Sequence, residues 1–295
     1  MKKFGVVSIV GRPNVGKSTL LNAILDTKLA ITSNKAGTTR NIIQGIYNDE
    51  ECQIVFTDTP GIGKPMHKIN QLMNKKAYSN TEGVDIILFL IDMKKGFGKG
   101  DEFILNKLKE SNIPVFLLLN KIDLMEKTLL LEKINQLKDV YDFKEIIPIS
   151  AYKKDNLNTL MKCIKDNLET SEHLYNEEEF TNVSTRFIIA EFVREKILEL
   201  TKEEVPHAVT CYVENYEEDE KTVHVQVLII VDRENLKGMI IGKGGQLLKE
   251  VGKRARYDIE NLLGKQVYLE THVKTLKNWR DQEKYFQELG LKEDE

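Results

Sequence analysis

Near the N-terminus, Gly11-Arg12-Pro13-Asn14-Val15-Gly16-Lys17-Ser18 fits the pattern G-x-x-x-x-G-K-[ST]. Glycines let a backbone approach an anion closely, so successive N–H groups can converge on phosphate oxygens, helped by the positive end of a following helix. Lys17 would reach the β- and γ-phosphates, and the Ser18 hydroxyl would ligate Mg²⁺. Farther along, Asp58-Thr59-Pro60-Gly61 supplies an acid for the same metal and a backbone N–H, that of Gly61, to sense the γ-phosphate. Between them, Thr38-Thr39-Arg40 lies in a polar segment from Thr32 to Asn41. A threonine such as Thr39 completes a metal shell only while a γ-phosphate is present, which makes the segment a physical order–disorder switch.

Two further motifs select the base. In Asn120-Lys121-Ile122-Asp123 the Asp123 carboxylate can accept both N1–H and the exocyclic N2–H₂ of guanine, donors that adenine does not offer in that arrangement. A buried acceptor pair left unmatched rejects the wrong base strongly. Lys121 would lay its stem along the base plane, and Asn120 would tie this loop to the phosphate loop. In Ser150-Ala151, the Ala151 N–H would meet guanine O6. A metabolic P-loop kinase would leave both motifs without a purpose.

These residues need a scaffold that gathers them at one edge. Apolar runs at Gly5–Val10, Ile86–Ile91, Val115–Leu119 and Ile146–Ile149 read as buried parallel strands. Helical stretches alternate with them: Lys17–Leu25, Lys68–Thr81, Asp101–Glu110, Glu126–Lys138 and Leu157–Leu168. Ile42–Tyr47 and Cys52–Thr57 flank the polar turn Asn48-Asp49-Glu50, which predicts a hairpin adding one antiparallel edge strand. The expected fold is an α/β sheet with helices on both faces and its ligands at the carboxyl ends of the strands.

The order of elements changes after an acidic stretch around Glu172–Glu179. A helix over Arg186–Leu200 precedes two β-rich runs, Val209–Val213 and Val223–Val231, joined across an acidic turn at Glu217–Glu220. A short helix from Leu236, a glycine turn, a basic helix over Leu247–Leu262 and a last strand, Val267–Val273, complete a small α+β domain. In Ile240-Ile241-Gly242-Lys243-Gly244-Gly245, a G-x-x-G turn has little side-chain bulk, so a nucleic acid backbone can lie against it. Lys243, Lys249, Lys253, Arg254 and Arg256 would attract phosphate, with Ile241 beside the turn. From Arg233 to Arg280 basic residues outnumber acids by six, although the whole chain carries −3.

Composition narrows the alternatives. With 295 residues, 41% hydrophobic and 30% charged, the chain has room for about two domains and is too apolar for a disordered one. Three scattered cysteines and no His pair at ligand spacing exclude a disulfide framework or a structural zinc site, and a reducing cytoplasm is expected. Nothing approaches the roughly 20 apolar residues needed to span a bilayer. A monomer is expected.

The ordered set GRPNVGKS, TTR, DTPG, NKID and SA resembles the translation-factor class of GTPases, in particular the Era-like branch, and the second region resembles a type II KH domain. That resemblance implies a P-loop GTPase domain over 1–170, a linker over 171–183, a KH domain over 184–280 and a tail over 281–295. It implies that Gly11–Ser18, Asp58, Thr59, Pro60, Gly61, Ile62, Asn120–Asp123, Ser150 and Ala151 hold GTP or GDP, with Ser18, Thr39 and Asp58 on Mg²⁺. Lys17, Thr39, Gly61 and Asn14 are the expected catalytic group. Ile62 stands where Ras-like GTPases carry a water-orienting glutamine, and in relatives an asparagine at the Asn14 position binds K⁺, whose charge substitutes for an arginine finger. Slow unaided turnover is expected. The resemblance further implies binding near the 3′ end of small-subunit ribosomal RNA, a role in assembling that subunit, and peripheral association with the inner membrane. An Era-like GTPase acting in tRNA modification or through a protein partner is the alternative.

Overall fold

The computed structural model describes residues 2–33, 35, 38–60, 83–172, 174–201 and 205–282. They fall into two compact units, the first built from described residues within 2–30, 39–60 and 83–182 and the second from those within 31–38 and 183–282.

In the first unit the strands are β1 (Lys2–Gly11), β2 (Ile43–Asn48), β3 (Cys52–Asp58), β4 (Ile86–Asp92), β5 (Val115–Asn120), β6 (Glu145–Ile149) and β7 (Thr170–Ser171). The sheet order is β2-β3-β1-β4-β5-β6, with β2 antiparallel to β3 and the other neighbours on this path parallel. β3, β4 and β5 are buried along their whole length, as strands covered on both faces must be. Helices α1 (Lys17–Leu25), α2 (Lys99–Leu108), α3 (Lys127–Leu137) and α4 (Leu157–Asp166) supply that cover. Ile104, Leu105 and Leu108 of α2 and Leu137 of α3 join Val10, Phe89, Ile91, Leu117 and Leu119 in one core layer. The expected helix Lys68–Thr81 lies outside the described residues.

Parallel register brings the motifs together. Ile9 pairs with Asp58, Gly11 with Leu90, Asp92 with Asn120, and Asn120 with Ile149. The carboxyl ends of five strands therefore form one edge, where ligands gather in open α/β sheets.

The short strand β7 was not legible in the sequence; it runs antiparallel to the start of β1. Beyond it, the acidic stretch read as a linker is strapped along β2 and β3. The buried Gln53 accepts from the N–H groups of Leu174 and Tyr175, each at 3.1 Å, and donates to the Tyr175 carbonyl at 2.9 Å. Ile46 N–H donates to the Phe180 carbonyl, and the Thr181 hydroxyl donates to the Gln44 carbonyl. Backbone partners of this kind leave no hydrophobic periodicity for the sequence to display.

The second unit contains α5 (Thr185–Leu200), α6 (Val205–Ala208), β8 (Val209–Glu218), β9 (Thr222–Val231), α7 (Glu234–Ile241), α8 (Gln246–Leu263) and β10 (Gln266–Thr275). Its sheet order is β10-β9-β8, with β8 antiparallel and β10 parallel to β9. A parallel pair requires a crossover, and α7 and α8 form it. β8 runs five residues past the expected Val213, and its turn closes where Asp219 N–H meets the Thr222 carbonyl. Acids are tolerated there because β8 is an edge strand whose outer residues are solvated. Trp279 is fully buried and donates from Nε1 to the Ala208 carbonyl at 3.1 Å.

Candidate functional sites

The phosphate loop leaves β1 and enters α1 as the sequence requires. Gly16 has φ 108°, a left-handed conformation, and a Cβ there would overlap the Asn120 amide, so only glycine fits both constraints. Lys17 is buried, and its ammonium donates to the carbonyls of Gly11 and Arg12, both at 3.1 Å. Burial pulls its pKa down, and the Asp58 carboxylate pushes back.

Ser18, Thr39 and Asp58 come together although they are separated in sequence. The Ser18 hydroxyl donates to Asp58 Oδ2 at 2.6 Å and lies 2.9 Å from the Thr39 hydroxyl. Burial raises the Asp58 carboxyl to about 6, against the opposing effect of Lys17 and the two hydroxyls. Asp58 Oδ1 is buried and has no hydrogen-bond partner among the described residues. Two hydroxyls and a carboxylate with an unsatisfied oxygen are hard donors of the kind Mg²⁺ takes, so the residues fit that ion. Bound there, Mg²⁺ would neutralise phosphate charge.

At the base end, Asn120 donates to the Val15 carbonyl at 2.8 Å and accepts from the N–H groups of Lys121 at 2.8 Å and Ala151 at 3.0 Å. The Ala151 N–H, expected to meet guanine O6, is thus directed at Asn120 in this structure. The exposed Asp123 carboxylate accepts from the Ser150 hydroxyl at 2.6 Å, which orients it. Lys121 adopts a left-handed backbone (φ 69°) and its ammonium reaches the Asn14 carbonyl at 2.9 Å and Asp92 at 2.7 Å. Ile122 opens a short 3-10 turn that carries Asp123.

Two side chains of the expected nucleotide site are engaged within the protein. The Thr59 hydroxyl donates to the Ile9 carbonyl at 2.9 Å and so holds β3 to β1. Arg12 forms a two-nitrogen pair with the buried Asp101, at 2.8 and 2.7 Å, and donates to the Gly96 carbonyl, so its guanidinium is held on these groups. Pro60 is buried at the end of β3, while Gly61 and Ile62 lie outside the described residues. Two functional residues escaped the sequence reading. Asp92, which anchors Lys121, ends a buried strand directly beside Asn120, and an acid closing an apolar run was the available signal. Asp101 gave none, because its partner is 89 residues away.

In the second unit, Gly242 has φ 72°, and a Cβ there would press on Leu247. Gly244 (φ 59°) and Gly245 (φ 76°) have nothing within 4 Å of where a Cβ would stand. The turn therefore offers bare backbone at the start of the 18-residue α8. Lys243, Lys249, Lys253, Arg254 and Arg256 are exposed, and Ile241 is half-buried beside the turn. Arg254 is paired with Glu250 at 2.7 Å and Arg256 lies 3.8 Å from Glu260, so these two cations are partly neutralised within their own helix.

Residues 6–121 match the family described as 50S ribosome-binding GTPase, and residues 204–280 match the KH domain. The chain is similar to Era from Aquifex aeolicus, a point variant solved with GDP·AlF4⁻. Identity is 43% and the TM-score 0.94, over 98% of this chain and 99% of that one. It is also similar to Era solved with MgGDPNP and nucleotides 1506–1542 of 16S ribosomal RNA, at 43% identity and a TM-score of 0.95, over 99% of each chain. No helix among the described residues is long and apolar enough to cross a membrane. A phosphate loop with a Ser18–Thr39–Asp58 cluster, a base-reading edge, a G-x-x-G turn and this end-to-end identity lead to one statement: the chain belongs to the Era family of GTPases.

Proposed function

We propose that the protein is a GTP-binding, GTP-hydrolysing switch that binds the 3′ region of small-subunit ribosomal RNA and assists assembly and maturation of that subunit. The observation that carries this is one sequence holding a complete metal-and-base edge in its first unit and a bare, basic-flanked G-x-x-G turn in its second. The relative solved with MgGDPNP and 16S nucleotides supports the pairing of the two ligands.

In this reading Gly11–Ser18 wrap the phosphates, and Lys17, already desolvated, meets their charge in a low-dielectric site where it is worth most. Ser18, Thr39 and Asp58 would hold Mg²⁺, and Asp123, oriented by Ser150, would read the base. Gly61 would contact the γ-phosphate, and Ile62 cannot orient a water by hydrogen bonding. With Arg12 held by Asp101, the extra positive charge for hydrolysis would come from a K⁺ at Asn14. Equal hydrolysis rates in Na⁺ and K⁺ would remove Asn14 from that role. The RNA would lie on Ile241–Gly245 with Lys243, Lys249, Lys253, Arg254 and Arg256 along its phosphates. We place the protein in the cytoplasm, with peripheral contact to the inner face of the membrane, a reading supported by the family resemblance and by three cysteines that form no disulfide. The test is a titration of RNA 1506–1542 against the protein with GDPNP and with GDP. Tighter binding in the GDPNP form supports the switch, and no binding in either form overturns it.

A further inference from the structure

Helix α5 carries an unusual load. Glu191, Arg194, Glu195 and Lys196 are all buried, Arg194 completely, in a helix that has no clear polar face. Burying a charge is unfavourable unless partners compensate it, so the identity of those partners is informative. Arg194 forks onto Glu191, at 2.6 and 2.5 Å, and also donates to the backbone carbonyl of Thr38. Glu195 accepts from the backbone N–H of Thr32 at 2.7 Å and from its hydroxyl at 3.3 Å. Two adjacent residues of α5 thereby grip both ends of segment 32–38, largely through backbone groups. The next residue, Lys196, bridges Glu195 at 3.0 Å and Asp258 of α8 at 2.7 Å.

Each end of this chain of contacts lies next to a proposed ligand site. Thr38 is joined by one peptide bond to Thr39, whose hydroxyl lies 2.9 Å from that of Ser18. Asp258 sits two residues beyond Arg256 on the helix that follows the G-x-x-G turn. We infer that Arg194 and Glu195 are positioning residues for Thr39, and that the Lys196–Asp258 pair extends their hold to α8, so that α5 links nucleotide state to RNA affinity. This rests on the proposed function and names the residues that would perform its coupling. Because the grip is mainly on backbone groups, it responds chiefly to where Thr32 and Thr38 are placed. Linkage then requires RNA to tighten GTP binding by the factor with which GTP tightens RNA.

Two variants of the full chain test this, with RNA 1506–1542, GDPNP and GDP as probes and a melting curve for each protein. Arg194→Lys keeps the charge but loses the planar fork that spans a carboxylate and a carbonyl. We expect it to raise the Mg²⁺ concentration for half-maximal GDPNP binding about tenfold and to lower the GDPNP-to-GDP ratio of RNA affinities toward one. Asp258→Asn changes no volume and lies far along the chain of contacts from the nucleotide. It should lower that ratio several-fold while leaving nucleotide affinity without RNA within about twofold. An unchanged ratio in folded Asp258→Asn overturns the link to α8, and an unchanged Mg²⁺ midpoint in folded Arg194→Lys overturns the positioning role. If the unmodified protein binds RNA with no nucleotide preference, the inference fails while RNA binding stands. If it binds no RNA at all, the proposed function itself fails.

Discussion

Asn120 ties Val15 to Ala151: its amide nitrogen donates to the Val15 carbonyl at 2.8 Å while its oxygen accepts the Ala151 N–H at 3.0 Å. A single buried side chain thus holds the phosphate loop against both base-reading loops. Asn120→Ala leaves two buried backbone groups without that partner, at a cost of about 1–3 kcal/mol each. Since Asn120 braces the loops and is not itself assigned to the γ-phosphate, GTP and GDP should weaken in parallel, by about 10- to 100-fold. Unequal losses in a fluorescent-nucleotide titration would contradict a purely bracing role.

Asp58 sets a pH limit. Its carboxyl stands at about 6 because burial outweighs Lys17 and the two hydroxyls, so a proton competes with Mg²⁺ for it below that pH. The Mg²⁺-dependent part of GTP affinity should fall as pH drops through about 6, by up to about tenfold per unit. Without metal or nucleotide the sign reverses for stability. The folded carboxyl binds its proton more tightly than the unfolded one, so this group stabilises the fold as pH falls from about 6 toward the ordinary aspartate value of 3.8. Melting curves with and without Mg²⁺ should therefore move in opposite directions over that window, and Asp58→Asn should abolish both trends.

Asp123 is held by Ser150 at 2.6 Å with its carboxylate exposed to an incoming base. Asp123→Asn replaces one acceptor with a donor, which clashes with the 2-amino group of guanine but matches the 2-carbonyl of xanthine. We expect GTP affinity to fall by about 100-fold or more and xanthosine triphosphate to become the better ligand. If inosine and guanosine triphosphates bind the unmodified protein equally well, Asp123 does not read the 2-amino group.

Much of this architecture was legible because buried parallel strands announce themselves as unbroken apolar runs, as at Ile86–Ile91, and because each motif follows such a run. What was not legible depends on contacts remote in sequence. Nothing local marks Asp101 as the partner of Arg12, or Gln53 as the clasp on Leu174 and Tyr175. The sequence predicts helix α5 over Arg186–Leu200 but says nothing of where its charges go. Its charges turned out to be buried and mutually paired, and periodicity alone cannot distinguish a paired interior charge from a solvated one. The acidic end of β8 was misread for a related reason: an edge strand tolerates acids that a central strand would not.

The open turn at Gly244 separates backbone strain from charge. Nothing lies within 4 Å of a Cβ there, but φ is 59°, so Gly244→Ala costs about 1 kcal/mol of conformational energy without a clash. Gly244→Asp carries a similar strain and in addition points a negative charge at the path proposed for the phosphates. RNA 1506–1542 should bind Gly244→Ala within a few-fold of the unmodified protein and Gly244→Asp at least about tenfold more weakly, with GTP hydrolysis in the absence of RNA unaffected in both. Among the cations, Lys249 should lower the salt slope of RNA binding by about 0.7 when changed to alanine, the value for one phosphate on a single strand. Arg254, already paired with Glu250 at 2.7 Å, should lower it less. Equal RNA binding by the alanine and aspartate variants would show that phosphate does not pass over this turn.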